Sequence, residues 1–175
     1  MALIIGAILY EPKILQAEHL AQFIQKFEHQ ILLIYVLISL VRGVFLIPST
    51  PFVLAGVMLF PNEPWLVFTV SMLGILLTTT ALYYFSDTLG FSEKLQKKFP
   101  KKMEVWKRRL SSKHAIWIVI GWSFFPFVPT DLICYLAGIV KMPFKYLLLG
   151  VFIGEAILVA CYVWLGTGLL EVLFS

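Results

Sequence analysis

The chain has 175 residues, 60% of them hydrophobic and 14% charged, with a mean hydropathy of +0.90. A soluble domain of this length cannot hide so much apolar surface, because a sizeable share of its surface stays accessible after folding, so the solvent is lipid. The length implies one domain; the net charge of +4 and pI near 9.1 point to an anionic membrane, with hydropathy excluding nucleic acid as the partner.

Met1 to Leu9 is apolar but short, with no basic start and no small-residue cleavage pattern before Tyr10-Glu11-Pro12, which argues against a cleaved signal. Residues 13–29 space Ile14, Leu20, Ala21, Ile24 and Phe27 helically among Lys, Gln, Glu and His, so 1–29 is expected to be an interfacial segment. Ile31 to Ile47 is apolar apart from Ser39, Arg42 and Gly43, and it stops at Pro48-Ser49-Thr50-Pro51. Each proline there lacks an N–H and crowds the preceding turn. Phe52 to Phe60 is a second short apolar arm, which makes 30–61 a Pro-broken hairpin, and 64–87 is long enough to cross a bilayer.

Residues 91–114 hold nine of the 14 Lys and Arg, with Phe99, Met103, Trp106 and Leu110 at helical spacing. That pattern predicts a basic amphipathic linker helix over 89–114, lying on an anionic leaflet. A second Pro-broken pair follows at 115–142, with Pro126 and Pro129 at its break, and a second span is expected over 144–168, ending at Gly166-Thr167-Gly168.

The two halves repeat. Leu54-Ala55-Gly56 followed by Pro61 matches Leu136-Ala137-Gly138 followed by Pro143, and each half ends in one long span containing a glycine, Gly74 or Gly154. The arms are too short to cross comfortably, so each pair reads as a re-entrant hairpin, and one hairpin plus one span is an odd number of crossings. The expected fold is therefore all-α and integral to the membrane: two inverted repeats, each a re-entrant helical hairpin plus a transmembrane helix, joined by the basic linker. This topology keeps Lys141 and Lys145 on the side of the linker, as the positive-inside rule favours.

Irregular backbone at membrane depth belongs where protein or a cavity covers it. Two broken helices meeting near the midplane, with Thr50 and Thr130 as expected caps, would point two helix N-termini at an anion such as phosphate. Ionisable residues at that depth are costly and mark function. Arg42 either binds a phosphate or snorkels from a helix end. Asp131 either carries a proton or completes a cap, Glu155 is the leading proton carrier, and Asp87 reads as interfacial. Ser49 and Tyr135 complete the expected substrate contacts. Cys134 and Cys161 read as small hydrophobes, the three histidines form no ligand spacing, and no nucleophile, phosphate-loop or zinc motif is present, so neither a metal nor a cofactor is expected.

With these motifs the chain resembles the DedA/SNARE-associated Golgi protein superfamily of VTT-domain membrane proteins over about Arg42 to Gly168. The resemblance rests on Ile47-Pro48-Ser49-Thr50-Pro51 with Leu54-Ala55-Gly56, and on Phe125-Pro126-Phe127-Val128-Pro129-Thr130-Asp131 with Tyr135-Leu136-Ala137-Gly138. It implies facing hairpins that move phospholipids or polyprenyl phosphate, as ion-linked flippases or as scramblases. The chain departs from the family pattern where Ser123 replaces an arginine and where Ser49 and Thr50 replace acidic residues. The expectation is a non-enzymatic flippase or scramblase of a bacterial plasma membrane, its linker cytoplasmic, with homo-oligomerisation left open. The alternatives are a small-solute or ion transporter and a scaffold that recruits partners through 91–114.

Overall fold

The computed structural model describes residues 17–27, 30–44, 47–86, 98, 100–125 and 128–174, and among them every regular element is helical. The helices are α1 (Ala17–Gln25), α2 (Ile31–Val44), α3 (Thr50–Leu59), α4 (Pro64–Tyr84), α5 (Pro100–Leu110), α6 (Ala115–Phe124), α7 (Thr130–Ile139) and α8 (Phe144–Phe174). The expectations placed on residues 1–16, Asp87, the linker residues 89–97, Phe99 and Pro126 fall outside the described residues.

Prolines set the helix starts. Pro51 lies in the first turn of α3, Pro64 opens α4 and Pro100 opens α5, where a missing N–H removes no intrahelical bond. The α7 terminus is a Schellman turn, with Met142 N–H bonded to Ala137 O at 2.9 Å, Lys141 N–H to Gly138 O at 3.0 Å, and Lys141 at φ 55°. The span-length apolar stretch of α8 is Phe144–Leu165, and the helix itself continues through Gly166-Thr167-Gly168 to Phe174. Glycine weakens a helix by about 1 kcal/mol, which is less than the cost of leaving backbone groups unbonded in an apolar setting.

The long helices α4 and α8 pack side by side in opposite directions. Trp65 and Phe68 near the start of α4 meet Trp164 of α8 at ring distances of 4.8 and 5.6 Å. At the other end Tyr83 and Tyr84 meet Phe144 at 5.1 and 5.3 Å. Between these aromatic clusters each helix rises by about 30 Å, the thickness of a bilayer's hydrocarbon layer. Only 44% and 39% of the two span windows is buried, and Leu73, Leu77, Leu149, Phe152 and Ile157 face outward. Charged side chains lie inside instead, with Arg42, Asp131 and Glu155 at 4%, 5% and 1% exposure. That polarity suits lipid and would be ruinous in water.

The short helices pack in a repeating pattern. α2 lies on α4 as α6 lies on α8, whereas the second arms cross over: of the two long helices α3 packs more on α8 than on α4, and α7 more on α4 than on α8. Exchanging α2–α3–α4 with α6–α7–α8 reproduces these pairings. Tyr35 of α2 meets Ser71, and Ser39 lies beside Gly74, so α2 runs from the Trp65 end to the middle of α4. α3 returns to that end, its Gly56 against Tyr35 and Val67. α6 runs the other way, from the Phe144 end, with Val119 on Gly150 and Ser123 on Gly154, and α7 returns with Gly138 against Tyr83 and Ser86.

The flanking helices are amphipathic. α1 sets Leu20 and Ala21 against Phe52 and Ala55 of α3. α5 buries Met103 and Leu110, sets Trp106 edge-on to Trp122 at 5.3 Å, and exposes its lysines and arginines.

The two glycines of the repeated Leu-Ala-Gly are contact points and respond differently to a methyl group. At Gly138 a Cβ would meet the Tyr83 carbonyl, which is backbone; at Gly56 it would meet the far end of the Tyr35 side chain and Val67, with no backbone atom among its nearest neighbours. Gly138→Ala is expected to cost about 3 kcal/mol and Gly56→Ala about 1 kcal/mol, compared by thermal unfolding of the purified protein in detergent.

Candidate functional site

Each hairpin break exposes backbone carbonyls in the middle of the protein, and a side chain from the hairpin's own first arm satisfies one of them. In the first break Arg42 Nη1 donates to Ile47 O at 3.0 Å. In the second, Trp122 Nε1 donates to Pro129 O at 3.2 Å. Trp122 thus holds the second break together. Leaving either carbonyl unbonded at this depth would cost several kcal/mol.

Arg42 joins three elements. Besides Ile47 it lies 5.8 Å over the Phe52 ring of α3 and 3.5 Å from Asp131 Oδ2 at the start of α7. With 4% exposure its side chain is enclosed within the protein. The Asp131 side chain is equally enclosed, at 7% exposure. The ion pair therefore ties the first break to the second across the centre of the molecule.

The two threonines do not cap. Ser49 and Pro129 occupy the N-cap positions, with no side-chain cap bond at either, and Thr50 and Thr130 are the first helical residues. Thr130 Oγ1 instead donates to Glu155 Oε1 of α8. In a cap the hydroxyl would accept from a backbone N–H, whereas here it donates its proton to a carboxyl oxygen, a strong acceptor. The Thr50 side chain lies near that of Tyr162, seven residues along α8 from Glu155. Glu155 and Tyr162 are two turns apart on one face, so the starts of α3 and α7 address α8 at levels about 10 Å apart.

Ser39, Arg42, Ser49, Ser71 and Phe52 help to line a void of about 10 Å³, room for a single water. Beside it Tyr35 Oη and Ser71 Oγ bond at 3.2 Å, and Cys134 Sγ donates to Thr79 Oγ1 at 3.5 Å. Among the described residues the buried oxygens Ser39 Oγ, Ser123 Oγ, Asp131 Oδ2 and Glu155 Oε2 lack a hydrogen bond, although Asp131 has its ion pair. Tyr135 is buried beside this region at 3% exposure.

The structure thus brings together Arg42, Asp131, Thr130 and Glu155, with Ser49 on the adjoining void. Pro48, Pro51 and Pro129 lie at the breaks, Gly56 and Gly138 at the crossing points. Tyr35, Ser71, Thr79 and Tyr162 were not anticipated; the one signal for them was a polar atom on an otherwise apolar helix. Among the described residues no cluster of His, Cys, Asp and Glu could hold a metal ion.

A family model, the VTT domain, matches residues 47–168, more than half of the chain. No curated protein and no solved structure gives a significant match.

The Arg42–Asp131 pair gives a stability test. Asp131→Ala strands a buried guanidinium and is expected to lower stability by about 3 kcal/mol, while Asp131→Asn, which leaves an oxygen beside Arg42, costs less than half of that in the same unfolding assay.

Proposed function

We propose that this chain, which belongs to the VTT-domain family of the DedA/SNARE-associated Golgi superfamily, moves the phosphate headgroup of a phospholipid or polyprenyl phosphate across the bilayer. The observation that carries this reading is one guanidinium buried at mid-depth between two helix starts, balanced by an acid that an incoming phosphate can replace.

In this reading both hairpins are re-entrant and the two units are inverted repeats. Support comes from the aromatic clusters about 30 Å apart and from the direction in which each hairpin approaches. The domain is a single membrane unit, with 30–61 and 115–142 as the hairpins, 64–87 and 144–168 as the spans, 89–114 as the linker and 1–29 as the flanking segment. Lys141, Lys145 and the basic α5 mark the Tyr83–Phe144 end as cytoplasmic. The membrane is a bacterial plasma membrane.

The arrangement with a one-water void is the closed state. A phosphate enters when the two breaks part and Arg42 exchanges Asp131 for the anion, presenting a planar fork that can grip two phosphate oxygens. The starts of α3 and α7 add their N-terminal partial charges, and the Ser49, Thr50 and Thr130 hydroxyls and Tyr135 complete the contacts. An anion arriving beside two carboxylates is repelled unless protons come with it. Asp131 and Glu155 are the groups that take those protons, which makes transport pH-dependent. With the lipid tail outside, the headgroup alone traverses the site, so the reading is of a flippase or scramblase and not of an enzyme.

The test is transbilayer movement of phosphate-headgroup lipids in liposomes holding the purified protein, with and without a pH gradient. Arg42→Ala and Glu155→Gln are expected to slow movement at least about tenfold, the loss of one charge-assisted contact. Dependence on the gradient separates a coupled flippase from a scramblase. No movement above empty liposomes, with the fold verified, overturns the reading and leaves the scaffold role of α5 in its place.

A further inference from the structure

Outside the buried site, a groove of about 560 Å³ lies between α5 and the turn that joins α7 to α8. That volume is in the range of small-molecule sites. One face of α5 supplies Met103, Glu104 and Lys107; the end of α7 supplies Ile139, Val140 and Lys141. The groove sits at the level of the Tyr83–Phe144 aromatic cluster, because Tyr83 Oη donates to Met142 O, next to Lys141, at 2.6 Å. In a bilayer this is the depth of the headgroups.

Two ammonium groups against one carboxylate make the lining net positive, and Met103, Ile139 and Val140 give it an apolar floor. A phosphate ion would match the lysines and leave the floor uncovered. A phospholipid matches both: its phosphate meets Lys107 and Lys141, its glycerol and first methylenes cover the floor, and Glu104 accepts from a headgroup hydroxyl. The backbone at Lys141 adds an independent observation. It is the left-handed residue of a Schellman turn, at φ 55°, where glycine is the unstrained choice. Lysine brings nothing to the turn that glycine lacks except a side chain carrying an ammonium group.

We propose that this groove binds an anionic phospholipid of the leaflet at that end of the protein, as a docking site separate from the buried Arg42. The proposal rests on the bilayer placement given above and on none of the transport steps.

The experiment is native mass spectrometry of the full-length protein equilibrated with phosphatidylglycerol or with phosphatidylcholine. Retention is read at equilibrium and needs no lipid movement, so its failure is distinct from a failure of transport. Wild type is expected to retain phosphatidylglycerol in preference to phosphatidylcholine, and Lys107→Gln/Lys141→Gln to weaken that retention about tenfold. Lys101→Gln/Arg108→Gln removes the same charge from residues of α5 that do not line the groove, and should change it by no more than about twofold. Lys141→Gly should raise the melting temperature by relieving the turn while weakening phosphatidylglycerol retention. Equal losses for the two double variants, no preference in wild type, or full retention in Lys141→Gly would each overturn the proposal.

Discussion

A backbone broken in the middle of a membrane has to find partners for its carbonyls inside the protein, and most of this structure follows from that requirement. Two breaks lie at the centre, and each is closed by a side chain from upstream, Arg42 for Ile47 and Trp122 for Pro129. The long helices α4 and α8 wall off the breaks from lipid, and the second arms cross to the opposite unit's span. Crossing over makes the two units interdependent, because neither hairpin is covered by its own span alone. Tight contacts at Gly56, Gly138, Gly150 and Gly154 let the arms come close enough to complete the enclosure.

The two breaks share a geometry and differ in charge. In the first, the group holding the carbonyl is a cation; in the second it is a neutral indole. The acids lie with the second unit, Asp131 at the start of α7 and Glu155 on α8, so the pairing of Arg42 with Asp131 runs between units. A charged pair enclosed in this way contributes little net stability compared with apolar packing, yet losing one partner is costly. Such a pair suits a switch between a closed state, held by the internal acid, and an open state in which an external anion replaces it.

Much of this was legible in the sequence because prolines and hydropathy are local signals. Pro48, Pro51 and Pro129 marked the breaks, and the long apolar helices opening at Pro64 and Phe144 followed from apolar length. The crossing of α3 onto α8 and of α7 onto α4 was not legible, since which span covers which arm is settled by packing between distant segments. The threonines at the breaks were read as caps on local grounds, and the structure sends Thr130 to Glu155, 25 residues away. Gly166-Thr167-Gly168 follows the apolar stretch without ending the helix, because two glycines are a strong stop signal in water and a weak one where no water competes for the backbone. Tyr35, Ser71 and Tyr162 drew no notice because hydroxyls on apolar helices gain meaning only from what they face.

The central claim is that the hairpins enter from opposite faces and meet at Arg42. It is tested most directly by labelling single cysteines with a membrane-impermeant thiol reagent in oriented vesicles, after replacing Cys134 and Cys161. The positions are Gln30 and Asn62, which bracket the first hairpin, and Ser112 and Lys141, which bracket the second. The account predicts that Gln30 and Asn62 label from one face and Ser112 and Lys141 from the other. Labelling of Gln30 and Asn62 from opposite faces would show the first broken pair to be a spanning helix and would contradict it.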